Sequence, residues 1–257
     1  MNMNIFLWGV LPYVVIALLV GGTFWRYKFD KFGWTTRSSQ VYESKLLRVG
    51  SPMFHLGLVF VVGGHVIGLV IPKSWTEFFY ISDHMYHITA LSLGTAAGIL
   101  TVAGLAILIY RRRTNGPVFM ATTRNDKLMY VVLGLTLCFG LWITVASFMA
   151  GDQAHEFDYR ESVSPWFRSV FLLQPEVELM AGTPLPFRAH VLMAMFLFAL
   201  WPFTRLVHAF TAPLHYLFRP YIVYRTRDSS PAGARTPKRG WEPIGTGTTL
   251  VEKKKKR

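Results

Sequence analysis

Charged residues and cysteines are scarce in this chain of 257 residues, and each scarcity excludes a class of protein. Only 16% of the residues are charged and 52% are hydrophobic, whereas a soluble globular domain carries about 25% charged residues. The single cysteine, Cys138, excludes an internal disulfide, a CxxCH site for covalent haem and an iron–sulfur cluster held by this chain alone. We expect Cys138 to be an inert, buried small residue.

The apolar residues are gathered into five blocks, each close to the ~20 residues that span a bilayer. The blocks are 5–25, 52–71, 88–110, 128–150 and 189–210. The first four contain no charged residue, and the first lacks the basic start and cleavage site of a signal peptide. The sequence therefore predicts an all-α membrane protein with a bundle of five transmembrane helices over 1–225. A basic, disordered tail is predicted over 226–257.

Lysine and arginine are concentrated in the loops on one side of the predicted bundle. Six lie in 26–51, five in 111–127 and twelve in 205–257, against four on the other side. The positive-inside rule therefore places the N-terminus outside and the C-terminus in the cytoplasm. This orientation accounts for the net charge of +13, so nucleic-acid binding is not expected. A short interfacial helix is predicted around 166–173, in the outer loop.

Sequence signals at helix ends give two further predictions. Ser51 followed by Pro52 predicts the N-terminus of the second helix, and Pro72 marks its end. Basic residues at the inner ends of the third and fourth helices are predicted to dock a soluble partner. They are Arg111, Arg112, Arg113, Arg124 and Lys127, and the twelve basic residues of 205–257 belong to the same predicted surface. Membrane orientation alone is the alternative explanation of these charges.

Four histidines lie inside predicted spans: His55 and His65 on the second, His190 and His208 on the fifth. An ionisable side chain in hydrocarbon is costly and indicates function. Because the two helices run antiparallel, His55 and His208 lie near the inner face, and His65 and His190 lie near the outer face. The spacings along the helices, about 15 Å and 27 Å at 1.5 Å per residue, do not match. Tilt or a kink at Pro202 must absorb this difference.

Two facing imidazoles in hydrocarbon suit a b-type haem, which takes one axial histidine on each face of a flat, apolar ring. A zinc site requires four ligands, and the spans contain no carboxylate or second thiol. We therefore expect two noncovalent b haems. Gly57, Gly63, Gly64 and Gly68 leave room for a porphyrin, although GHVIG (64–68) also fits a small-xxx-small pattern of helix packing.

Two arginines lie close to the fifth-helix histidines in the sequence. Arg188 precedes His190 by two residues, and Arg205 precedes His208 by three. Each is a candidate partner for a haem propionate. Extension of the arginine side chain to the membrane interface is an equally good explanation.

The histidine segments resemble the gamma subunit of respiratory nitrate reductase, a membrane cytochrome b. The matching segments are FHLGLVFVVGGH (54–65), FRAH (187–190) and WPFTRLVHAFTAPLHYL (201–217). WRYKF (25–29) and SSQ (38–40) fit the same family. The resemblance covers about 5–225 and is absent from the tail.

The resemblance implies that His55 and His208 ligate an inner, proximal haem, and that His65 and His190 ligate an outer, distal one. It also implies that the chain takes electrons from quinol near the distal haem, within the cytoplasmic membrane of a bacterium or archaeon. The electrons then pass to an iron–sulfur beta subunit and a molybdenum-containing alpha subunit on the cytoplasmic face, where nitrate becomes nitrite. The iron–sulfur clusters and the molybdenum cofactor belong to those partners alone.

The quinol site is expected in the outer segment before the third helix. Some family members carry a lysine there, whereas this chain reads ISDHMYHIT. Quinol oxidation needs a proton acceptor near pH 7, which histidine supplies. His87 is the first candidate, with His84 and Tyr86 beside it and Asp83 to orient it, and ordinary helix capping is the alternative. No special role is predicted for the remaining histidines, His155 and His215.

Two other functions fit parts of the sequence. The same dihaem module can serve a hydrogenase, a formate dehydrogenase or a sulfur-pathway oxidoreductase. A transporter or channel with histidine proton relays is a different class of protein, and the absence of carboxylates in the spans and of an internal repeat weighs against it. A reduced-minus-oxidised visible spectrum separates the cytochromes from the transporter.

Overall fold

The computed structural model describes residues 2–34, 38–150, 157–211 and 218, and within these ranges it contains helices, turns and loops but no strand. The helices are α1 (Ile5–Phe29, π-helical over Ile5–Val10), α2 (Lys45–Val70, π-helical over Val66–Val70), α3 (Lys73–Phe78), α4 (Asp83–Thr114), α5 (Gly116–Met120), α6 (Arg124–Ala150), α7 (Val163–Phe171), α8 (Val177–Ala181) and α9 (Leu185–Leu200). Two 3₁₀ segments, Trp201–Phe203 and Arg205–Thr211, follow α9. The described residues up to 211 belong to one compact unit, Met1–Ala212. The predicted tail, His155 and His215 lie outside the described residues.

Five helical segments are long and apolar enough to cross a membrane, which confirms the predicted all-α fold with five spans. They are Ile5–Phe29, Lys45–Val70, Asp83–Thr114, Arg124–Ala150 and Leu185–Phe203. Pro72 follows the second span as predicted and caps the short helix α3.

The predicted start of the second helix at Ser51 and Pro52 is wrong. Helix α2 begins at Lys45, so Pro52 lies inside it. The Glu43 carboxylate accepts a hydrogen bond from the Leu46 backbone N–H at 2.8 Å, which satisfies one of the donors that a helix N-terminus leaves unpaired. A proline inside a helix removes one backbone hydrogen bond, and α2 continues through this loss.

The spans pack in the order α2, α4, α6, α9 and α1, each against the next. Helices α2 and α9, which carry three of the four span histidines, are not among the closely packed pairs.

Helices α2 and α4 approach closely because glycines lie at their contact. A Cβ atom added at Gly57 would collide with Thr101, and one added at Gly104 would collide with the backbone of Phe54. Glycine at these two positions therefore permits the close approach of the two helices. A core of Phe54, Leu105 and neighbouring apolar side chains fills the rest of the contact.

We call the side of the bundle that carries 2–4, 71–87 and 157–188 the acidic end. There the outer loop covers the ends of α1 and α2. The Trp166 indole donates to the Trp8 carbonyl at 2.9 Å, and Ser164 donates to the Gly68 carbonyl at 2.7 Å. The Gly68 carbonyl lies in the last turn of α2, where carbonyls have no helical partner. The helix predicted around 166–173 is confirmed as α7, and its Trp166 face is buried in the core.

We call the opposite side, with 26–51, 111–127 and 205–211, the basic end. Arg111 is 1% exposed. Its guanidinium donates to the Glu43 carboxylate at 2.6 Å and to the Ser39 hydroxyl at 2.9 Å. Arg112 is 8% exposed and donates to the Tyr130 hydroxyl at 2.7 Å. Arg111 and Arg112 therefore hold the loops of the basic end together, and the prediction that they dock a partner is wrong.

The other three residues at the helix ends that are predicted to dock a partner, Arg113, Arg124 and Lys127, are exposed.

Cys138 is exposed on the surface of α6, so the prediction that it is buried is wrong. A small side chain in a span is compatible with lipid as well as with the core, and composition alone does not distinguish these positions.

Candidate functional site

The four span histidines form two pairs across the bundle. The ring centres of His55 and His208 lie 6.0 Å apart, with 76° between the ring planes. Those of His65 and His190 also lie 6.0 Å apart, with 39° between the planes. The structure therefore brings together the partners that the depth argument predicts.

The mismatch in spacing along the two helices is absorbed by a break in the fifth span. Helix α9 ends at Leu200, Pro202 lies in a short 3₁₀ turn, and Thr204 is extended with φ −116° and ψ −177°. His208 belongs to the separate segment after this break. The estimate of 27 Å assumes one straight helix and does not apply. The Arg26 guanidinium of α1 donates to the Pro202 carbonyl at 2.7 Å and fixes the break.

In every histidine of the two pairs, Nδ1 makes a hydrogen bond with a backbone carbonyl. The acceptors and distances are Ser51 for His55 (2.8 Å), Val61 for His65 (2.7 Å), Thr136 for His190 (3.0 Å) and Arg205 for His208 (2.6 Å). A carbonyl can only accept, so Nδ1 carries the proton in each ring. The Nε2 lone pair is then available, as in histidines that bind metals.

The distance between the paired rings fits a metal ion held between them. With metal–nitrogen bonds of about 2.0 Å and each Nε2 about 1.1 Å from its ring centre, two axial imidazoles have centres about 6.2 Å apart. Both observed separations are 6.0 Å. Among the described residues no three His, Cys, Asp or Glu side chains form a metal-binding group. Each site therefore offers two imidazoles, which is the donor set that a b haem takes.

The glycines near the histidines differ in their surroundings. A Cβ atom added at Gly63 or Gly64 would meet nothing within 4 Å, so both face open space beside His65. One added at Gly68 would lie 3.0 Å from the Tyr159 hydroxyl. Gly63 and Gly64 therefore leave room for a flat group, whereas Gly68 allows the outer loop to approach.

The two candidate arginines have different environments. The Arg188 Nε atom is buried and has no hydrogen-bond partner among the described residues, so it fits an anionic group such as a propionate. Arg205 donates to both carboxylate oxygens of Asp126, from Nε at 2.9 Å and from its terminal nitrogen at 2.9 Å. Its predicted contact with a propionate is untested.

The candidate quinol residues lie at the start of α4, at the acidic end. His84 is exposed, and His87 is half-buried one turn further along the helix. The Tyr86 hydroxyl lies 3.0 Å from the Tyr159 hydroxyl, and the Arg160 guanidinium lies 3.9 Å from the Tyr86 ring centre. Burial and the contact with Tyr86 raise the pKa of Tyr159. The Tyr86–Tyr159 pair therefore serves as a structural contact between α4 and the outer loop.

Sequence reasoning missed Lys73, which gathers three carboxylates at the acidic end. Its Nζ lies 3.0 Å from Asp83, 3.0 Å from Glu161 and 3.8 Å from Asp158. Hydrogen bonds with Asp83 and Glu161 raise the pKa of Lys73. Asp83, which the sequence analysis expects to orient His87, thus joins α4 to α3 and the outer loop. One signal was visible: Lys73 is one of four basic residues on that side.

Comparison with known proteins gives a consistent set of relatives. Residues 4–227 match the family model of the nitrate reductase gamma subunit. The chain is 44% identical over 221 residues to the nitrate reductase gamma chain of Bacillus subtilis (strain 168), covering 86% of this chain and 97% of that protein. It is 29% identical over 226 residues to the respiratory nitrate reductase 2 gamma chain of Escherichia coli (strain K12), covering 88% and 98%.

A further relative is longer than this chain. The chain is 57% identical over 234 residues to the nitrate reductase-like protein NarX of Mycobacterium tuberculosis (strain ATCC 25618 / H37Rv). The match covers 91% of this chain and 35% of that protein. The chain therefore spans about a third of the length of this relative.

Proposed function

The chain belongs to the nitrate reductase gamma subunit family, and on that premise we propose that it is the membrane cytochrome b of a respiratory nitrate reductase. It oxidises quinol at the acidic end of the bundle, on the outer face of the cytoplasmic membrane. It passes the electrons inward to soluble partners at the basic end. The site for nitrate lies in a partner.

The two histidine pairs are the observation that carries this proposal. Each pair has its rings 6.0 Å apart, and in each ring Nδ1 is fixed on a carbonyl. His55 and His208 would hold the proximal haem, and His65 and His190 the distal haem. When bound, the two b haems supply one-electron relay sites at two depths of the membrane.

The surrounding residues bind and orient these groups. Gly64 and Gly63 leave space beside His65 for the ring of a haem. The buried Arg188 Nε atom would donate to a propionate of the distal haem.

Quinol is bound and deprotonated at the acidic end. His87 accepts a proton from the quinol hydroxyl, since imidazole changes its charge near neutral pH. His84 is exposed on the same helix and passes the proton to water on the outer side. Tyr86 fixes the position of α4 through Tyr159. Protons then leave on the side opposite to the electron acceptor, so the reaction separates charge.

The partners are an iron–sulfur beta subunit and a molybdenum-containing alpha subunit, which reduces nitrate to nitrite. The exposed cations of the basic end, Arg113, Arg124 and Lys127, face this complex and the lipid headgroups. Isolation of the native complex tests the partner class. Recovery of a hydrogenase, a formate dehydrogenase or a sulfur-pathway enzyme in place of a molybdenum nitrate reductase would contradict it.

The haem part of the proposal is tested on the purified chain. We expect a pyridine haemochrome assay to give two b haems per chain, extractable by acid acetone because no CxxCH exists. Addition of menaquinol or ubiquinol should reduce both haems, seen as b-type α-bands. One haem or none per chain, or haems that no quinol reduces, would overturn the proposal.

A further inference from the structure

Helix α6 supplies no histidine to either pair, yet it contacts His190 directly and is linked to His208 through Arg205. We propose that α6 is the positioning element of the site: Asp126 sets the orientation of His208 through Arg205, and Gly140 with the Thr136 carbonyl sets that of His190. This inference rests on the proposed function, in which the two pairs hold haems.

The contact with the proximal pair runs through three residues. Asp126, in the first turn of α6, is 6% exposed. It accepts two hydrogen bonds from the Arg205 guanidinium, both at 2.9 Å. The carbonyl of the same Arg205 accepts the proton of His208 Nδ1 at 2.6 Å. A bidentate pair fixes both distance and direction, so the position of Asp126 determines where the acceptor for His208 lies.

The segment that carries His208 depends on this contact. It follows the break at Thr204, so α9 does not fix it by continuous backbone hydrogen bonds. Besides the ion pair, the Asn125 amide of α6 donates to the Phe203 carbonyl. Two neighbouring residues of α6 thus hold the chain on both sides of Thr204. Asp126 is fixed in turn by the Thr123 backbone N–H, which donates to its carboxylate at 3.0 Å.

The contact with the distal pair is made about three to four turns further along α6. His190 Nδ1 donates to the Thr136 carbonyl at 3.0 Å. The ring lies over Gly140, where an added Cβ would be 2.9 Å from Cε1, 3.4 Å from Nδ1 and 3.5 Å from Nε2 of His190. Any side chain at position 140 therefore displaces the imidazole from its carbonyl acceptor. Glycine is required here by the close approach of the ring.

The helix provides a matched control for this contact. A Cβ added at Gly134 would meet nothing within 4 Å. Gly134→Ala and Gly140→Ala make the same chemical change in the same helix, and both raise its helix propensity by a similar amount. They differ in the contact with His190.

The experiment measures each ferric haem separately in the membrane-embedded complex, by its low-spin EPR signal and by redox titration. Gly140→Ala should shift the signal of the distal haem and leave the proximal one unchanged, and Gly134→Ala should alter neither. Asp126→Asn should shift the signal of the proximal haem alone. Loss of such supporting contacts weakens metal binding by about 10–100-fold, so the affected haem should also be retained less well on dilution.

Two further variants separate positioning from folding. Thr123→Ala removes the hydroxyl that caps Asp126 N–H at 3.1 Å but keeps the pair with Arg205, and should leave both signals in place. Arg205→Lys keeps the positive charge but cannot make the two parallel hydrogen bonds with Asp126. It should therefore shift the EPR signal of the proximal haem. The undisturbed haem of each variant reports that the bundle has folded.

The outcomes distinguish the two proposals. If the unaltered protein binds no haem, the proposed function fails. If it binds two and Gly140→Ala or Asp126→Asn leaves both signals unchanged, the inference fails while the function stands. Equal shifts of both haems in either variant would also overturn it, because α6 would then act only through general stability.

Discussion

Arg111 at the end of α4 and Glu43 before α2 form an ion pair of 2.6 Å in which the arginine is 1% exposed. The same guanidinium donates to the backbone carbonyls of Ser39 and Glu43. One buried cation thus joins the first basic loop to the third span. Arg111, Arg112 and Arg113 form one run of positive charge in the sequence, but the structure buries the first two and exposes the third.

The first prediction contrasts Arg111 with Arg113. Arg111→Gln should lower the thermal midpoint of the protein by several degrees, because removing one partner of a buried ion pair leaves polar groups unsatisfied. Arg113→Gln, at an exposed position two residues away, should leave the midpoint within a degree or so, as surface substitutions do. Thermal unfolding monitored by circular dichroism in detergent measures both. Equal midpoints for the two variants would contradict the assigned role of Arg111.

The second prediction concerns acid. Burial opposes the charge of Glu43, but hydrogen bonds from Leu46 and Arg111 outweigh it and lower the pKa of its carboxyl below the ordinary 4.5. A lowered folded-state pKa stabilises the native state above the unfolded-state value, and this contribution is lost as the pH falls through the folded-state value. Hydrogen exchange of residues 38–50 should therefore accelerate below about pH 4.5. Glu43→Gln should show fast exchange already at pH 7, without this acid step.

The third prediction separates the two haems by their ligands. His55→Leu and His208→Leu should each remove the proximal haem and leave the distal one reducible by quinol. His65→Leu and His190→Leu should each remove the distal haem, after which quinol reduces the proximal one poorly. Difference spectra and haem content measure the result. A His55 variant that matched the His190 variant, and not the His208 variant, would show that the pairs are wrongly assigned.

The fourth prediction tests the proton acceptor. His87→Ala should slow quinol oxidation by about 100-fold or more, the range for loss of a general base, while both haems stay bound. Tyr86→Phe removes the hydroxyl contact with Tyr159 and should affect the stability of the acidic end more than turnover. Stopped-flow reduction of the haems by quinol, with haem content as the control, measures both. Unchanged reduction in the His87 variant would remove this residue from the mechanism.

Much of the fold was predictable because its cause is local. An uncharged apolar block of about 20 residues has few options other than a membrane helix, so the five spans and the all-α class are confirmed. The resemblance found in the histidine segments is confirmed by the match over residues 4–227. Helix ends were less predictable: Ser51 and Pro52 have the typical residue types of an N-terminus, but tertiary contacts of Glu43 and Arg111 extend α2 seven residues further.

The four histidines of the site could be predicted from the sequence, but the groups that position them could not. Four histidines in hydrocarbon stand out by composition, and depth along antiparallel helices pairs them. The supports come from backbone carbonyls and from a glycine, which carry no distinctive side chain. The Asp126–Arg205 pair joins residues 79 positions apart, and nothing local in the sequence relates them. Lys73 was overlooked because its three carboxylate partners lie in two separate segments.

The four bonds between Nδ1 and backbone carbonyls have a consequence for the order of assembly. The acceptors for His55 and His65 are carbonyls four residues earlier in the same helix, so these two rings are aligned as soon as α2 forms. The acceptor for His190 is the Thr136 carbonyl of α6, so this ring is aligned only when α9 packs against α6. The distal pair therefore takes its final geometry only after two separate helices have met.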